Sequence, residues 1–312
     1  MTDVVVEAES LTKRYPPDIV AVDSISFSIQ KGRVFSLLGP NGAGKTTTVE
    51  MLEGLRTPSA GSVRVLGVDV TKDYARIRKR VGVLPQNFEP FDLLTPLEAI
   101  MYWADLFEAD CARKDALNML EAVGLTHRKS LLSKKLSGGE KRKLGIAMSL
   151  VNSPELLFLD EPTTGLDPKA RRDIWRLIEE TRDGGATVVL TTHYLDEAER
   201  LADDVAIMHK GAIISQGSPQ DLVAKHGEST AIVLVGVGED GMKELSRRGI
   251  RAVEQNGDAV VEVSDPAELR IMFAKLSSID VKMKGMYTRR QTLEDVFLSL
   301  TGARMDEGVL EQ

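Results

Sequence analysis

The chain has 312 residues, 42% of them hydrophobic and 28% charged, which leaves room for one large domain and a smaller one with ordinary buried cores. A formal net charge of −7 weighs against a general nucleic-acid binder, and a single cysteine, Cys111, excludes an internal disulfide and a thiolate metal cluster, as in a protein of a reducing compartment. The start of the chain has acid where a secretion signal needs base, and no apolar run approaches the roughly 18–20 residues that cross a bilayer, so the expectation is a chain without a membrane span.

From Val4 to about Asp69, short alternating runs such as Ser24–Ile29 predict strands. Tyr15 stands where the first of these ends, an aromatic placed either to stack on an adenine ring or simply to pack. Arg33–Leu38 predicts a buried strand and Thr46–Glu53 a helix. Between them Gly39-Pro40-Asn41-Gly42-Ala43-Gly44-Lys45-Thr46 fits G-x-x-x-x-G-K-[ST] in its proper strand–loop–helix setting. Glycines let successive N–H groups turn inward on a phosphate, and the helix N-terminus adds positive dipole. Lys45 is expected to reach the β- and γ-phosphates and the Thr46 hydroxyl to sit on Mg²⁺. Gly39, Asn41, Gly42, Ala43, Gly44, Lys45, Thr46 and Thr47 are thus the expected contacts to a nucleoside triphosphate.

The pattern turns helical between about 88 and 150, with Pro96–Phe107 and Lys114–Gly124 carrying helical spacing and Gly124 placed as a C-cap. Leu136-Ser137-Gly138-Gly139-Glu140 opens a further helix, expected from Lys141 to about Asn152, and is a second glycine-rich helix start able to hold an anion. The basic run from Arg128 to Arg142 lacks interleaved aromatics and reads as a solvated face. Glu155–Asp160 and Ala186–Thr191 are near-continuous apolar runs, as in strands covered on both faces, with a helix from Pro168 to Thr181 between them. The first run delivers Asp160 toward Mg²⁺ and leaves Glu161 placed to take a proton from an attacking water.

Past a boundary near Gln216–Pro219 the expected order is strand (Ala231–Val237), helix (Gly241–Arg248), strand (Ile250–Glu254), a turn at Asn256-Gly257 and strand (Ala259–Val263). A helix opened by Asp265, a strand (Val281–Tyr287) and a last helix from Thr292, capped toward Asp295, complete a βαββαβ order that points to a small α+β domain of ferredoxin-like kind.

Taken together, these motifs resemble those of an ABC-type ATPase, in which a phosphate loop is followed by a glutamine loop, an L-S-G-G-Q/E signature, a D-E-P strand end and a histidine. Gln86 in Val83-Leu84-Pro85-Gln86 matches the glutamine loop, Gly165-Leu166-Asp167-Pro168 the loop after the glutamate, and His193 the switch histidine that contacts the γ-phosphate. The signature departs at Glu140, where many members carry Gln. His193–Asp204 and Thr292–Gly302 further resemble stretches of the separate-subunit ATPases that drive drug, polysaccharide or lipid exporters, the second one typical of antibiotic-resistance members.

The resemblance implies an α/β P-loop ATPase domain over 1–225, with a mixed sheet core and an inserted helical subdomain, and a C-terminal accessory domain over 226–312. It implies ATP and Mg²⁺ as ligands, with Glu161, His193 and Gln86 catalytic and Thr46, Gln86 and Asp160 at the metal. Tyr15, Asp167 and the signature residues Ser137, Gly138 and Gly139 join the nucleotide contacts. It further implies a dimer with ATP sandwiched between two chains, bound to a separate membrane permease on the cytoplasmic face. The alternative is a soluble ABC-type ATPase acting on nucleic acid or ribosomes, although no second cassette or coiled-coil insertion is visible. A GTPase is disfavoured because no Asn-Lys-x-Asp stretch occurs, and a non-catalytic regulatory module because Lys45, Asp160, Glu161 and His193 are all intact.

Overall fold

The computed structural model describes residues 4–225, 230–255, 257–263, 266–279, 281–290, 292–301, 305–306 and 309–310. Asn256 of the expected turn, Asp265 of the expected helix start and Gly302 of the last stretch lie outside the described residues. The chain divides into two compact units, Met1–Gln216 and Gly217–Gln312.

The first unit opens with β1 (Val4–Tyr15), β2 (Ile19–Gln30), β3 (Val34–Leu38), α1 (Lys45–Leu52), β4 (Ala60–Val65), β5 (Val68–Asp69) and a short α2 (Val70–Asp73). It continues with β6 (Val81–Leu84), three helices, α3 (Pro96–Leu106), α4 (Arg113–Ala122) and α5 (Gly138–Ser149), then β7 (Leu156–Asp160), α6 (Pro168–Asp183) and β8 (Thr187–Thr192). It closes with α7 (Leu195–Leu201), β9 (Asp204–His209) and β10 (Ala212–Gly217). In β2 only Val22, Ile25, Phe27 and Ile29 turn inward, so the antiparallel sheet β2-β1-β4-β5 has one wet face.

Every residue of β3, β7 and β8 is buried, because the second sheet, ordered β10-β9-β3-β8-β7-β6, is covered on both sides. On one side Val34, Leu157 and Leu190 meet Ile100, Leu144 and Ile174 of the helices; on the other Phe35, Phe158 and Val189 meet Val6, Phe27 and Met51. Strands β6, β7, β8, β3 and β9 run parallel in their pairings, so the segments following β6, β7, β8 and β3 leave the sheet along one edge. In open parallel sheets that edge is where ligands bind.

Helix α3 begins with a capping box between Thr95 and Glu98 and with Pro96 in its first turn. Gly124 follows α4 with φ of 70°, the left-handed stop expected of it. Helix α5 begins at Gly138 rather than Lys141, because Ser137 is its N-cap and a reciprocal bond pair with Glu140 closes the first turn over both glycines.

In the second unit, α8 (Pro219–Lys225) precedes β11 (Thr230–Val235), α9 (Gly238–Arg247), β12 (Val253–Gln255), β13 (Asp258–Val263), α10 (Pro266–Ser277), β14 (Gly285–Arg290) and α11 (Leu293–Thr301). The sheet order β12-β13-β11-β14 with antiparallel pairing throughout is the ferredoxin-like arrangement of βαββαβ. Two strands lie later than expected. Ile250, Val281 and Met283 supply apolar side chains to the core between sheet and helices, while pairing starts only at Val253 and Gly285.

Candidate functional site

The phosphate loop leaves β3 and turns into α1 through Gly44, whose φ of 102° lies in the left-handed region. A Cβ at Gly44 would stand 2.3 Å from the Ala21 carbonyl oxygen, and one at Gly39 2.3 Å from that of Met208, so the loop is wedged between neighbouring backbones. Lys45 is buried; its ammonium donates to the carbonyls of Gly39 (2.6 Å) and Pro40 (3.1 Å) and lies 3.5 Å from Oε1 of Glu161. Burial lowers its pKa against the opposing pull of Glu161 and Asp160.

The end of β7 brings two acids to this loop. Asp160 accepts from the Thr46 hydroxyl at 3.3 Å and from the Thr191 hydroxyl of the adjacent strand. Burial pushes its pKa up, partly offset by those two bonds. Glu161 has φ of 47°, uncommon for a residue with a side chain, and its amide donates to Thr191 Oγ1 at 2.9 Å. Its carboxylate sits where four segments converge. Lys45 and His193 Nδ1 (3.3 Å) face Oε1, while Gln86 Nε2 (3.2 Å) and the Thr164 hydroxyl (3.0 Å) donate to Oε2. Burial alone would raise its pKa, but the neighbouring His193 imidazole and Lys45 ammonium outweigh this and hold the carboxyl down at about 2. It is therefore an anion at neutral pH, able to orient a water and accept its proton.

Thr46 and Asp160 offer hard oxygen donors, the kind Mg²⁺ takes from protein when phosphate and water complete its shell. The donor set fits that ion, which when bound would neutralise phosphate charge. Among the described residues no group of three or more His, Cys, Asp and Glu forms a metal cage.

The structure thus brings together Lys45, Thr46, Gln86, Asp160, Glu161 and His193. Thr47 follows on the first turn of α1, and Ala43 ties the loop to the turn after β9 by accepting from Gly211 N at 3.0 Å. Asn41 and Gly42 are exposed on the loop. The remaining expected residues have their contacts elsewhere. The half-buried ring of Tyr15 has Lys13 at 5.3 Å and Arg56 at 5.6 Å. Asp167 caps α6 by accepting from the amides of Lys169 and Ala170. Ser137 and Gly138 are exposed at the start of α5, and Gly139 faces Ala170. Glu140, where many signatures carry Gln, completes the cap and accepts from Arg128 at 2.7 Å.

The sequence reading missed three buried ionisable side chains. Arg142 belongs to the basic run expected to be solvated, but it is 9% exposed. Its guanidinium donates to five carbonyls, those of Pro85 (2.8 Å), Gln86 (3.0 Å), Glu161 (3.0 Å), Pro162 (3.1 Å) and Asp160. Burial brings its pKa down to about 10, leaving it charged at neutral pH. The signal was present in the helical period: Gly145 and Ser149, three and seven residues on, mark a face pressed close to backbone. Glu197 of α7 is fully buried and accepts from the Thr163 hydroxyl (2.8 Å) and Trp175 Nε1 (2.9 Å). Glu53, at the end of α1, is 4% exposed, and burial together with Asp160 and Glu50 raises its pKa to about 8.

The sequence pattern of the family described as ABC transporter matches residues 22–164. The Nod factor export ATP-binding protein I of Mesorhizobium japonicum is 37% identical over 308 residues, covering 97% of this chain and 88% of that protein. The chain belongs to the ABC transporter family. Also similar to this ABC ATPase are the linearmycin resistance ATP-binding protein of Bacillus subtilis (34% identical, 95% of this chain and 98% of that protein) and the daunorubicin/doxorubicin resistance ATP-binding protein of Streptomyces peucetius (34%, 98% and 95%). Among solved structures, a dimeric ATP-binding cassette in a post-hydrolysis state with ADP and Pi superposes with a TM-score of 0.63 at 27% identity, covering 68% of this chain and 98% of that one. An ATP-binding subunit of an ABC transporter gives 0.64 at 26%, covering 71% and 93%. The ABC ATPase therefore binds and hydrolyses ATP. The alternative of a soluble ATPase acting on nucleic acid or ribosomes finds no support among these relatives.

Proposed function

We propose that this chain powers export through a separate membrane permease, with Mg·ATP hydrolysed at the edge of the parallel sheet. The convergence of Lys45, Gln86 and His193 on the Glu161 carboxylate carries the reading. Lys45 and the loop amides hold the β- and γ-phosphates, Thr46 and Asp160 hold Mg²⁺ with Gln86 beside it, and Tyr15 stacks on the adenine. Glu161 takes a proton from water as its oxygen attacks the γ-phosphorus; the bond to the bridging oxygen breaks and ADP leaves. His193 contacts the γ-phosphate. Ser137, Gly138 and Gly139 of a second chain cap the same phosphate, with Asp167 at the join. The ATP-binding domain spans 1–225, and 226–312 tunes assembly rather than chemistry.

Next along the chain from Gln86 lies an exposed apolar surface of Phe91, Leu93, Tyr102 and Leu106, with Phe91 and Tyr102 edge to face at 5.1 Å. Leu93 is 76% exposed, an unfavourable setting unless something covers it. We assign this surface to the permease. Among the described residues no helix is long and apolar enough to cross a membrane, which fits a subunit held at the cytoplasmic face by its partner. The test is recovery of the tagged chain from detergent-solubilised membranes of its own cells. The reading predicts an integral membrane protein in stoichiometric amount, lost on Leu93→Glu with Tyr102→Glu while basal ATP hydrolysis stays unchanged. An active chain recovered without any membrane partner would refute it.

A further inference from the structure

Among the described residues, the buried guanidinium of Arg142 hydrogen-bonds to no carboxylate. Its five acceptors are backbone oxygens from two strand ends, Pro85 and Gln86 after β6, and Asp160, Glu161 and Pro162 at the end of β7. Burying a cation is expensive unless its donors are satisfied, and here the hydrogen-bond partners among the described residues are all main-chain carbonyls. Two of those carbonyls belong to the residues whose side chains meet at 3.2 Å, Gln86 and Glu161.

The helix carrying Arg142 is built to come close. A Cβ on Gly145 would stand 2.6 Å from Leu84 and 2.8 Å from Phe88, and one on Gly82 would stand 2.1 Å from the Ser149 carbonyl oxygen. Glu161 itself sits at φ of 47°, a left-handed backbone state that is unfavourable for a residue with a Cβ. Three bonds hold its backbone there: its amide donates to Thr191 Oγ1, and its carbonyl accepts from Arg142 at 3.0 Å and from the Thr164 amide at 3.3 Å. Lysine could not replace this fork, because one ammonium has three donors and no plane.

We propose that Arg142 is a positioning residue that locks the backbones of Gln86 and Glu161 into hydrolytic register and makes that register depend on where α5 stands. The helix that opens with Ser137-Gly138-Gly139 thereby reports its own placement to the base of its own chain. This rests on the reading of Glu161 as the general base.

The test uses the full-length chain with Arg142→Lys and Arg142→Gln, either of which serves if the other fails to fold, alone and combined with Glu161→Gln. The expected result is a fall in kcat of about 10²-fold, the cost of a misplaced catalytic group, with KM for ATP and the affinity for ADP changed less than about threefold. In the Glu161→Gln background the same change should lower residual turnover no further, because Arg142 acts through Glu161. A folded variant with native kcat, even one that melts earlier, overturns the proposal and leaves a purely structural arginine. An undiminished fall in the Glu161→Gln background overturns it too. If Glu161→Gln itself retains turnover, the reading of the base has failed instead, which is a separate outcome.

Discussion

The Lys45 ammonium lies 3.5 Å from Oε1 of Glu161, and both side chains are buried. On the proposed reading an incoming triphosphate would compete with Glu161 for that cation, so that binding of phosphate and release of the carboxylate toward a water would be one exchange. Lys45→Ala should therefore weaken ATP binding by about tenfold or more, the scale of a charge-assisted hydrogen bond worth about 1.5–3 kcal/mol. Equilibrium binding of a fluorescent ATP analogue measures this, and an affinity within about twofold of the parent would contradict it.

Glu53 predicts a pH dependence of stability. Its pKa is raised to about 8 in the folded chain, against about 4.3 unfolded. Its contribution is fully present below about pH 4 and is lost as pH rises to about 8, because the unfolded chain gives up the proton first. Glu53→Gln stays neutral throughout, so its advantage in melting temperature should widen from pH 5 to pH 8.5, without Mg²⁺ or nucleotide. Parallel curves for variant and parent would contradict the buried, protonated acid.

In the second unit, Asp295 accepts from Arg289 (2.9 Å), Gln255 (3.2 Å) and both the amide and hydroxyl of Thr292. Burial opposes ionisation, but the Arg289 and Thr292 bonds keep its pKa below the usual range. Asp295→Asn should cost about 1.5–3 kcal/mol at pH 7 by removing the carboxylate that accepts from the partly buried Arg289. The gap should close as pH falls below about 4, since a depressed carboxylate pKa stabilises only while ionised. Hydrogen exchange in β11 and β14 reads this in the whole chain; unchanged protection there would contradict it, while ATP binding should be unaffected.

How much of this was legible in the sequence follows physical range. The phosphate loop and the Asp160-Glu161 strand end were legible because adjacent residues carry their own conformational demands, as Gly44 does at φ of 102°. The start of α5 was misjudged because glycines read as breakers, whereas Ser137 and Glu140 cap the turn across them. The burial of Glu53 was not legible, since it depends on strands distant in sequence closing over the end of α1, and that of Arg142 was marked only by the helical spacing of Gly145 and Ser149. Val281 and Met283 alternate like a strand but fill a core, and the pairing edge is set by β11.

On the proposed reading each site is shared between two chains, with the two helix N-termini that can hold an anion, α1 at Lys45 and α5 at Gly138, meeting one triphosphate from opposite chains. A Cβ on Gly138 meets nothing within 4 Å, whereas one on Gly139 would stand 3.2 Å from Ala170, so Gly138→Asp blocks the helix start without disturbing packing. Mixing Lys45→Ala with Gly138→Asp should restore ATPase activity that neither shows alone, because one site of each mixed dimer escapes both defects. If pull-down shows mixed dimers but neither phosphate release nor trapped ATP returns, each chain completes its own site.

The most direct measurement of the account is turnover and ATP binding in Glu161→Gln, which keeps the shape of the side chain and its contacts to Gln86 and Thr164 but cannot accept a proton. Phosphate release under saturating Mg·ATP should fall by about 10²–10⁴-fold, while ATP affinity is kept and the ATP-bound dimer accumulates on gel filtration. Near-parental turnover in a folded variant would contradict it.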